Sequence, residues 1–200
     1  MKISQLTLAA ALSLGVASCN SSSDDSVKEA QKTNEAKIDS TVQGAGQNAA
    51  VRDDKAYDSE FMTKAASGGM LEVELGKVVG QRATTAEAKQ FAQQMVTDHT
   101  KANAELKALA AKKNIELPAS LGDDQKKVYD EVLAEKGVKL DQKYIAEMVD
   151  DHEEDVKEFQ EASTKAGDPE VKALATKTLP MLQMHLTMIK KIQAGMDAKK

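Results

Sequence analysis

Four long stretches of helical periodicity, joined by one long and two short connections, constrain the fold of this chain more than any other feature. Apolar residues recur every three or four positions in four ranges, which predicts amphipathic helices over 58–82, 84–113, 138–166 and 168–194. Only a few residues separate the helices within the first pair and within the second pair. About two dozen residues join the pairs, and they contain a further short helix predicted over 123–136.

Residues at the predicted helix ends support these bounds. Thr84, with Glu87 three residues later, has the pattern of a capping box at the start of the second helix. Gly122 interrupts the long connection, and Asp168 followed by Pro169 predicts the cap and first position of the last helix. An up-down-up-down bundle needs no long central connection. We therefore predict an all-α fold, a ferritin-like four-helix bundle whose long B–C crossover contains a short helix.

The composition agrees with a helical fold and argues against several function classes. Hydrophobic residues make up 41 % of the 200 residues, aromatic residues only 3 %, and Trp is absent, which favours helices over sheets. A net charge of −5 and the lack of a basic stripe argue against a nucleic-acid partner. The chain has no Gly-rich phosphate loop and no Ser/His/Asp order, so kinase and hydrolase chemistry are not expected.

The first 18 residues have the form of a secretion signal. One Lys precedes an apolar run, from Leu6 to Val16, that is too short to span a bilayer as a mature helix. The sequence VASC, ending at Cys19, resembles a bacterial lipobox. This resemblance implies cleavage before Cys19 and lipidation of its thiol and new amino terminus; the alternative is an ordinary signal peptide cut nearby. The resemblance to lipoproteins also implies a sorting rule, in which an Asp after the Cys retains the protein at the inner membrane. Asn20 stands at that position, so we expect the outer membrane of the cell envelope, with the domain facing the periplasm or the cell surface.

The region after Cys19 is expected to be a tether. It is rich in Ser, Asp, Asn, Gln and Gly and has few apolar residues, so it cannot bury enough apolar surface to fold alone. The chain therefore divides into a lipoprotein signal peptide (1–18), a lipidated Cys with a disordered tether (19–56), a four-helix domain (57–194) and a polar tail (195–200). The lipid would anchor the domain to a membrane that its helices do not enter.

All three histidines of the chain fall on apolar helix faces. Counting 100° per residue places His99, His152 and His185 on the inward faces of the second, third and fourth helices. Glu72 falls on the inward face of the first helix. Measured from the hairpin turns, His152 and His185 differ in depth by about 4 Å, and Glu72 and His99 by about 7 Å. Each pair is expected to meet, whereas the crossover decides whether both pairs share one level.

The inward Glu72 needs a compensating partner, because burying a lone carboxylate costs on the order of several kcal/mol. Two interpretations stay open: a transition-metal site, and a His–Glu hydrogen-bond network without metal. Imidazoles and carboxylates on facing bundle helices build di-iron and di-manganese sites, but those use Glu-x-x-His motifs. Here Val96 and Leu182 stand three residues before His99 and His185. The sequence therefore favours a mononuclear site of three His and one Glu over a two-metal oxidase.

Six further residues are weaker candidates for this site. Asp155 lies only partly inward, whereas Asp98 and Asp151 flank histidines at the edge of the apolar face. These two can orient imidazole rings or can be solvated boundary residues. A methionine stands four residues before each histidine: Met95, Met148 and Met181. Thioether with imidazole suits Cu(I), but methionine more often fills core gaps, so the sequence favours iron, manganese or zinc over copper.

Four motifs, in order, resemble those of a bacterial family. They are GGMLEVELGKV, FAQQMVTDHTKANAEL, YIAEMVDDHEEDVKEF and ATKTLPMLQMHL, and they are similar to a ferritin-like family of unknown function, domain of unknown function 4142. Members of that family are often described as outer-membrane proteins or lipoproteins. The resemblance covers about residues 57–193. It implies an exported ferritin-like domain with Glu72, His99, His152 and His185 at motif positions, and it implies no reaction.

These observations lead to three hypotheses for function. We expect a lipid-anchored envelope domain that binds a transition metal at the inward Glu/His cluster, for handling or sensing of the ion. The alternative is a metal-free structural or protein-interaction lipoprotein. A metal-dependent oxidase or peroxide scavenger is a third hypothesis, since an open coordination position can bind oxygen species. The sequence predicts neither catalytic residues nor protein partners.

Overall fold

The structure is a computed structural model that describes residues 25–45 and 49–198. Its regular elements are six helices: α1 (Ser26–Ala45), α2 (Ala49–Arg82), α3 (Ala86–Lys113), α4 (Asp123–Ala134), α5 (Val138–Lys165) and α6 (Pro169–Asp197). The prediction of an all-α fold is confirmed, and α6 continues into the predicted polar tail. Within the described residues, no helix is long and apolar enough to cross a bilayer. The predicted signal peptide and Cys19 lie outside the described residues.

Helices α2, α3, α5 and α6 form a four-helix bundle made of two hairpins. Helix α2 packs on α3 and α5 packs on α6, and the hairpins meet through α2 with α5 and α3 with α6. The α2–α3 turn lies beside the start of α5, where Asp141 bonds to Thr84. The α5–α6 turn lies at the opposite end of the bundle. There the backbone N–H of Gly167 donates to Asp58, in the first half of α2. The chain therefore traverses the bundle lengthwise between α3 and α5, and α4 in this crossover packs on α2 and α5.

A buried aspartate from each hairpin holds the turn of the other hairpin. Asp141, with 0 % exposure, accepts the backbone N–H groups of residues 84–85 at 2.8–3.0 Å. Asp58, which is 5 % exposed, accepts the N–H groups of residues 167–168 at 2.9 and 2.7 Å. Because a buried N–H without a partner is costly, these two carboxylates fix the alignment of the hairpins along the bundle axis.

The helix starts follow the predicted signals with one shift. Helix α3 is capped by Thr85, whose hydroxyl accepts a backbone N–H at 3.3 Å, and not by Thr84. The Thr84 hydroxyl instead donates to Asp141 at 2.8 Å, a long-range contact that no local pattern reveals. Asp168 caps α6 and Pro169 takes its first position, as predicted.

The prediction of a disordered tether over 19–56 is wrong for the part of it that the structure describes. Residues 26–45 form α1, and α2 begins at Ala49, ahead of the predicted domain start at residue 57. Ala30 and Asn34 of α1 are buried against the rest of the fold. Asn34 donates to the Glu116 carbonyl at 2.9 Å and accepts the Glu116 N–H at 2.7 Å. Hydrogen bonds to the crossover thus hold a polar helix that its composition did not predict.

Two apolar clusters fill the bundle, and a layer of ionisable side chains separates them. The upper cluster, near the α2–α3 turn, includes Leu75, Val79, Phe91, Met95, Leu140, Tyr144, Met148 and Ile189. The lower cluster, near the α5–α6 turn, includes Phe61, Met62, Leu106, Phe159, Val171 and Leu182. Between them, each bundle helix contributes one buried ionisable residue: Glu72, His99, His152 and His185. This polar layer is the candidate functional region of the bundle.

Candidate metal centre

The structure brings the three predicted histidines to one point in the polar layer. His99 on α3 is 3 % exposed, and His152 on α5 and His185 on α6 are 0 % exposed. His185 Nδ1 lies 3.3 Å from His99 Nε2 and 3.4 Å from His152 Nε2. One ring nitrogen from each histidine lies within 4.8 Å of the other two. The two pairs that the sequence predicted separately therefore share one level.

Two of the histidines have a fixed acceptor at the nitrogen that faces away from this point. His152 Nδ1 lies 3.0 Å from the Met148 carbonyl oxygen, and His185 Nε2 lies 2.8 Å from Asp98 Oδ2. Because carbonyl and carboxylate oxygens accept, the network assigns the N–H of each ring to its outer nitrogen. The inner nitrogens, His152 Nε2 and His185 Nδ1, then carry lone pairs that face each other.

Glu72 lies behind His99. Its Oε2 is in close contact with His99 Nδ1, and its Oε1 lies 3.3 Å from His152 Nε2. Glu72 is 0 % exposed, and neither of its oxygens has an aligned hydrogen bond to the described residues. A proton must lie between Oε2 and His99 Nδ1, because two lone pairs in such close contact repel. With that proton on Nδ1, His99 matches the other two rings, having an outer N–H and an inner lone pair.

Burial favours the uncharged form of all four residues. It lowers the pKa of His99 to about 4 and, with the two neighbouring histidines, lowers the pKa of His152 to about 3. Burial also lowers the pKa of His185, against the opposing effect of Asp98, and raises the pKa of Glu72 well above its usual value. At neutral pH the imidazoles are therefore in the neutral form that binds metal ions, and Glu72 is protonated unless a cation is near.

The spacing of two of the three pairs of inner nitrogens matches tetrahedral coordination. Zinc–nitrogen bonds of about 2.0–2.1 Å at the tetrahedral angle place two ligand nitrogens roughly 3.3–3.4 Å apart. The His99–His185 and His152–His185 pairs have separations of 3.3 and 3.4 Å. The outer acceptors are the kind of group that fixes the orientation of metal-binding imidazoles. The buried His and carboxylate side chains can therefore hold a metal ion.

The three weaker aspartate candidates all lie at or beside the cluster. Asp98 bonds directly to His185, so it orients a ring and is not merely a solvated boundary residue. Asp151 has a carboxylate oxygen within 4.8 Å of a ligand oxygen of Glu72. Asp155, one turn further along α5, lines a small cavity next to Glu72. The sequence placed these residues at the edge of the site, and their partners appear only in the folded chain.

The methionine candidates belong to the apolar core. Met95 and Met148 are both 0 % exposed and lie in the upper cluster. Met181 is half-buried and packs against the lower cluster, on the other side of the polar layer. Their packing fits the interpretation of methionine as a residue that fills core gaps.

A small cavity lies beside Glu72 and His99. Its volume is about 20 Å³, which is enough for one water molecule. Asn103 and Thr178, which the sequence analysis did not single out, contribute polar atoms to its wall. Asn103 reaches this position because Gly69 has no side chain, since a Cβ there would collide with Asn103 Oδ1. The cluster therefore has a place for a small ligand next to it.

Tyr144 is a second residue that the sequence analysis missed. It is 0 % exposed, and its hydroxyl has no hydrogen-bond partner among the described residues. Burial, together with the charges of Glu72 and Asp151, raises its pKa well above the usual value. Tyr144 stands seven residues before Asp151 on α5, a spacing that places both on one helix face. That spacing is the signal that could have associated Tyr144 with the site.

The fold and the cluster together define a class of protein: an all-helical bundle with a buried histidine cluster at its centre. The chain belongs to the family described as Domain of unknown function (DUF4142), whose family model matches residues 40–192. The family membership that the four sequence motifs indicated is thereby confirmed.

Two solved structures have a similar fold. A DUF305 fragment from Deinococcus radiodurans has a TM-score of 0.60 and 10 % identity, with 69 % of this chain and 95 % of that chain covered. A DUF305 protein from Streptomyces coelicolor has a TM-score of 0.59 and 13 % identity, with 70 % and 94 % covered. At these identities the likeness shows the fold alone. Among curated proteins, none matches the chain significantly.

Proposed function

We propose that this protein binds one transition-metal ion through His99 Nε2, His152 Nε2 and His185 Nδ1, for handling or sensing of that ion. One observation carries the proposal: the inner nitrogens face each other at 3.3 and 3.4 Å. The outer nitrogens of two rings donate to fixed acceptors, so their inner nitrogens have no proton to share. Lone pairs that converge in a buried site attract a cation and repel one another without it.

A metal-free network, the alternative hypothesis, satisfies these atoms less completely. If Glu72 donates its proton to His99 Nδ1, then His99 Nε2 can donate to His185 Nδ1. His152 Nε2 is then left without a donor, because the proton of its ring lies on Nδ1, against the Met148 carbonyl. If Glu72 instead donates from Oε1 to His152 Nε2, His99 Nδ1 donates to Oε2, and the lone pairs of His99 Nε2 and His185 Nδ1 face each other without a donor. A buried acceptor without a partner costs about 1–3 kcal/mol. A metal ion, by contrast, engages all three inner nitrogens.

The ligand chemistry favours zinc, iron or manganese. Neutral imidazoles backed by carboxylates suit these ions, and zinc binds such sites more tightly than manganese(II) or iron(II). Copper(I) prefers thioether ligands, and Met95 and Met148 pack in the apolar core. Copper is therefore the weaker proposal for the resident ion.

A site with three protein ligands leaves one coordination position free for water or a small molecule. A cavity of about 20 Å³, lined by His99 but not by the other two histidines, can hold a water molecule near the site. This openness suits reversible handling or sensing of an ion. A free coordination position is also what the oxidase or peroxide-scavenger hypothesis requires. None of the described side chains has a proposed role in a reaction step.

We also propose that the domain is held at the outer membrane by lipid on Cys19. This rests on the signal-like first 18 residues, the sequence VASC and the Asn that follows it. Helix α1, which comes next, packs on the crossover of the bundle. A lipid anchor of this kind would keep the histidine site close to the membrane.

Metal stoichiometry tests the proposal. The purified chain would be stripped with a chelator and offered zinc, iron(II), manganese(II) and copper(I) separately, and bound metal would be measured by elemental analysis. We expect about one equivalent of at least one ion, because one nitrogen from each of the three buried histidines converges on a single point. His99→Ala and His185→Ala should lose it. Glu153→Gln is the control, since Glu153 is exposed on α5 and pairs with Lys190.

Two results would contradict the proposal. The first is that the wild-type chain retains none of the four ions. The second is that the histidine variants retain as much metal as the control. Variants that are merely less stable would then assign the cluster a structural role, and the search for function would turn to protein partners.

A further inference from the structure

A second group of buried oxygen atoms lies next to the histidines. Five buried side-chain polar atoms of the described residues have no hydrogen-bond partner, and four of them belong to three neighbouring residues. They are both carboxylate oxygens of Glu72, Oδ2 of Asp151 and the hydroxyl of Tyr144. Ligand atoms of Glu72, Asp151 and His152 lie within 4.8 Å of one another. Because Glu72 Oε2 contacts His99 Nδ1, three oxygens are left without a partner among the described residues, Glu72 Oε1, Asp151 Oδ2 and the Tyr144 hydroxyl, and their concentration points to a missing ligand.

Asp151 connects this buried group to an open, acidic cleft. The cleft lies between α1, α2, α4 and α5, has a volume of about 530 Å³, and is lined by eight carboxylate residues and two lysines. Lys28 pairs with Asp25 of the cleft, and Lys64 pairs with Glu60 outside it and with Glu158 of the cleft, so the carboxylates still outnumber the lysines. The side chain of Asp151 is 21 % exposed, whereas that of Glu72 is 0 % exposed. A cation from solvent can therefore reach Glu72 by way of Asp151.

Asp155 adds a third carboxylate next to Glu72 and Asp151. It is four residues after Asp151, on the same face of α5, and it lines both the acidic cleft and the small cavity beside Glu72.

We propose that Glu72 and Asp151, with Asp155 at the margin, form a second cation site that takes a hard divalent ion such as Mn²⁺, Mg²⁺ or Ca²⁺. Such ions bind carboxylate oxygens and keep several waters, which the cleft can supply. The excess of negative charge in the cleft attracts cations towards the site. Glu72 lies between the two sites, with Oε2 against His99, but the new site does not depend on the histidine nitrogens being occupied.

Titration with Mn²⁺ tests the second site. The purified chain, loaded with one equivalent of zinc, would be titrated with Mn²⁺ while free Mn²⁺ is followed by electron paramagnetic resonance. Zinc is expected to hold the nitrogen site because it outcompetes Mn²⁺ there. We expect the wild type to bind a single Mn²⁺ per chain, and Asp151→Asn to lose it while retaining zinc. Asp155→Asn should weaken Mn²⁺ binding less.

Asp150→Asn is the matched control. Asp150 is the neighbouring residue, is exposed and lines the same cleft, so its substitution removes the same charge without touching Glu72. It should retain the Mn²⁺. If Asp150→Asn and Asp151→Asn lose Mn²⁺ binding equally, the cleft attracts Mn²⁺ only through its overall negative charge, and the proposed second site is wrong. Circular dichroism of both variants checks their fold, and Asp151→Glu, which keeps a carboxylate, should recover part of the binding.

The outcomes separate this inference from the proposed function. Zinc bound without any Mn²⁺ overturns the second site and leaves the histidine proposal standing. Mn²⁺ bound without zinc, and lost in Asp151→Asn but not in His185→Ala, does the reverse. If neither ion is retained, both proposals fail.

Discussion

Asp98 accepts the outer N–H of His185 at 2.8 Å and thereby turns Nδ1 of that ring towards the other two histidines. Burial acts to raise the pKa of Asp98, but hydrogen bonds from Gln94 and His185 outweigh it, and the pKa is lowered. Asp98 is therefore ionised at neutral pH. An ionised acceptor makes the imidazole a stronger ligand and fixes its tautomer.

Replacing Asp98 should weaken metal binding without removing a ligand. We expect Asp98→Ala to lower the affinity for zinc by roughly 10–100-fold, the usual cost of losing such an outer partner. Competition with a chromogenic chelator measures this. Thr97→Ala, at the adjacent exposed position of α3, is the control and should leave the affinity unchanged. Wild-type affinity in Asp98→Ala would contradict the orienting role.

Metal binding at neutral pH should release a proton from the cluster. Burial raises the pKa of Glu72 well above its usual value, so the metal-free chain holds a proton there. The charge of a bound ion lowers that pKa again, and we expect release of about one proton per ion. Isothermal titration calorimetry in two buffers of different ionisation enthalpy counts it. Glu72→Gln should release about one proton fewer, and an unchanged count in this variant would contradict the assignment.

The cap of α6 gives a stability prediction with a defined pH dependence. Burial acts to raise the pKa of Asp168, but hydrogen bonds from Lys113 and the backbone of residues 170–171 outweigh it, and the pKa is lowered. A lowered pKa stabilises the fold above the unfolded value, and that contribution disappears as the pH falls through the folded value. We expect Asp168→Ala to cost about 1 kcal/mol at pH 7 and clearly less at pH 2.5, measured by urea denaturation. An equal cost at both pH values would contradict this.

The anchor at Cys19 makes a prediction about location. In a bacterial host that processes lipoproteins, Cys19→Ala should move the protein from the membrane fraction to the soluble fraction of the envelope, because the acylated thiol is lost. Detergent phase partitioning and immunoblotting of the fractions measure this. If the Cys19→Ala variant stays in the membrane fraction as the wild type does, lipid on Cys19 is not the anchor.

The bundle could be predicted because its signals are local. The apolar spacing, Asp168 before Pro169 and the long connection are all read within one helix or one turn. Helix α1 could not be predicted, since Asn34 is held by the backbone of Glu116, which is distant in sequence. Thr84 and Thr85 have the same local chemistry, and only the contact with Asp141 distinguishes the cap.

The candidate site likewise combines features that local sequence predicts with features that only distant contacts determine. That three histidines and Glu72 point inwards follows from helical periodicity. That they lie at one level depends on the crossover and on the two aspartates that align the hairpins, Asp141 and Asp58. The roles of Asp98 and Asp151 depend on which nitrogen or carboxylate each one faces, and a helical wheel does not resolve this. From the sequence, Tyr144 cannot be distinguished from an ordinary aromatic core residue. Only the structure shows that its buried hydroxyl has no hydrogen-bond partner among the described residues.

Anomalous diffraction from crystals of the zinc-loaded chain tests the central claim most directly. We predict a peak at the zinc edge within about 2.1 Å of His99 Nε2, His152 Nε2 and His185 Nδ1 together. A peak found only elsewhere, with the three rings in hydrogen bonds to one another, would contradict metal binding by the histidine cluster.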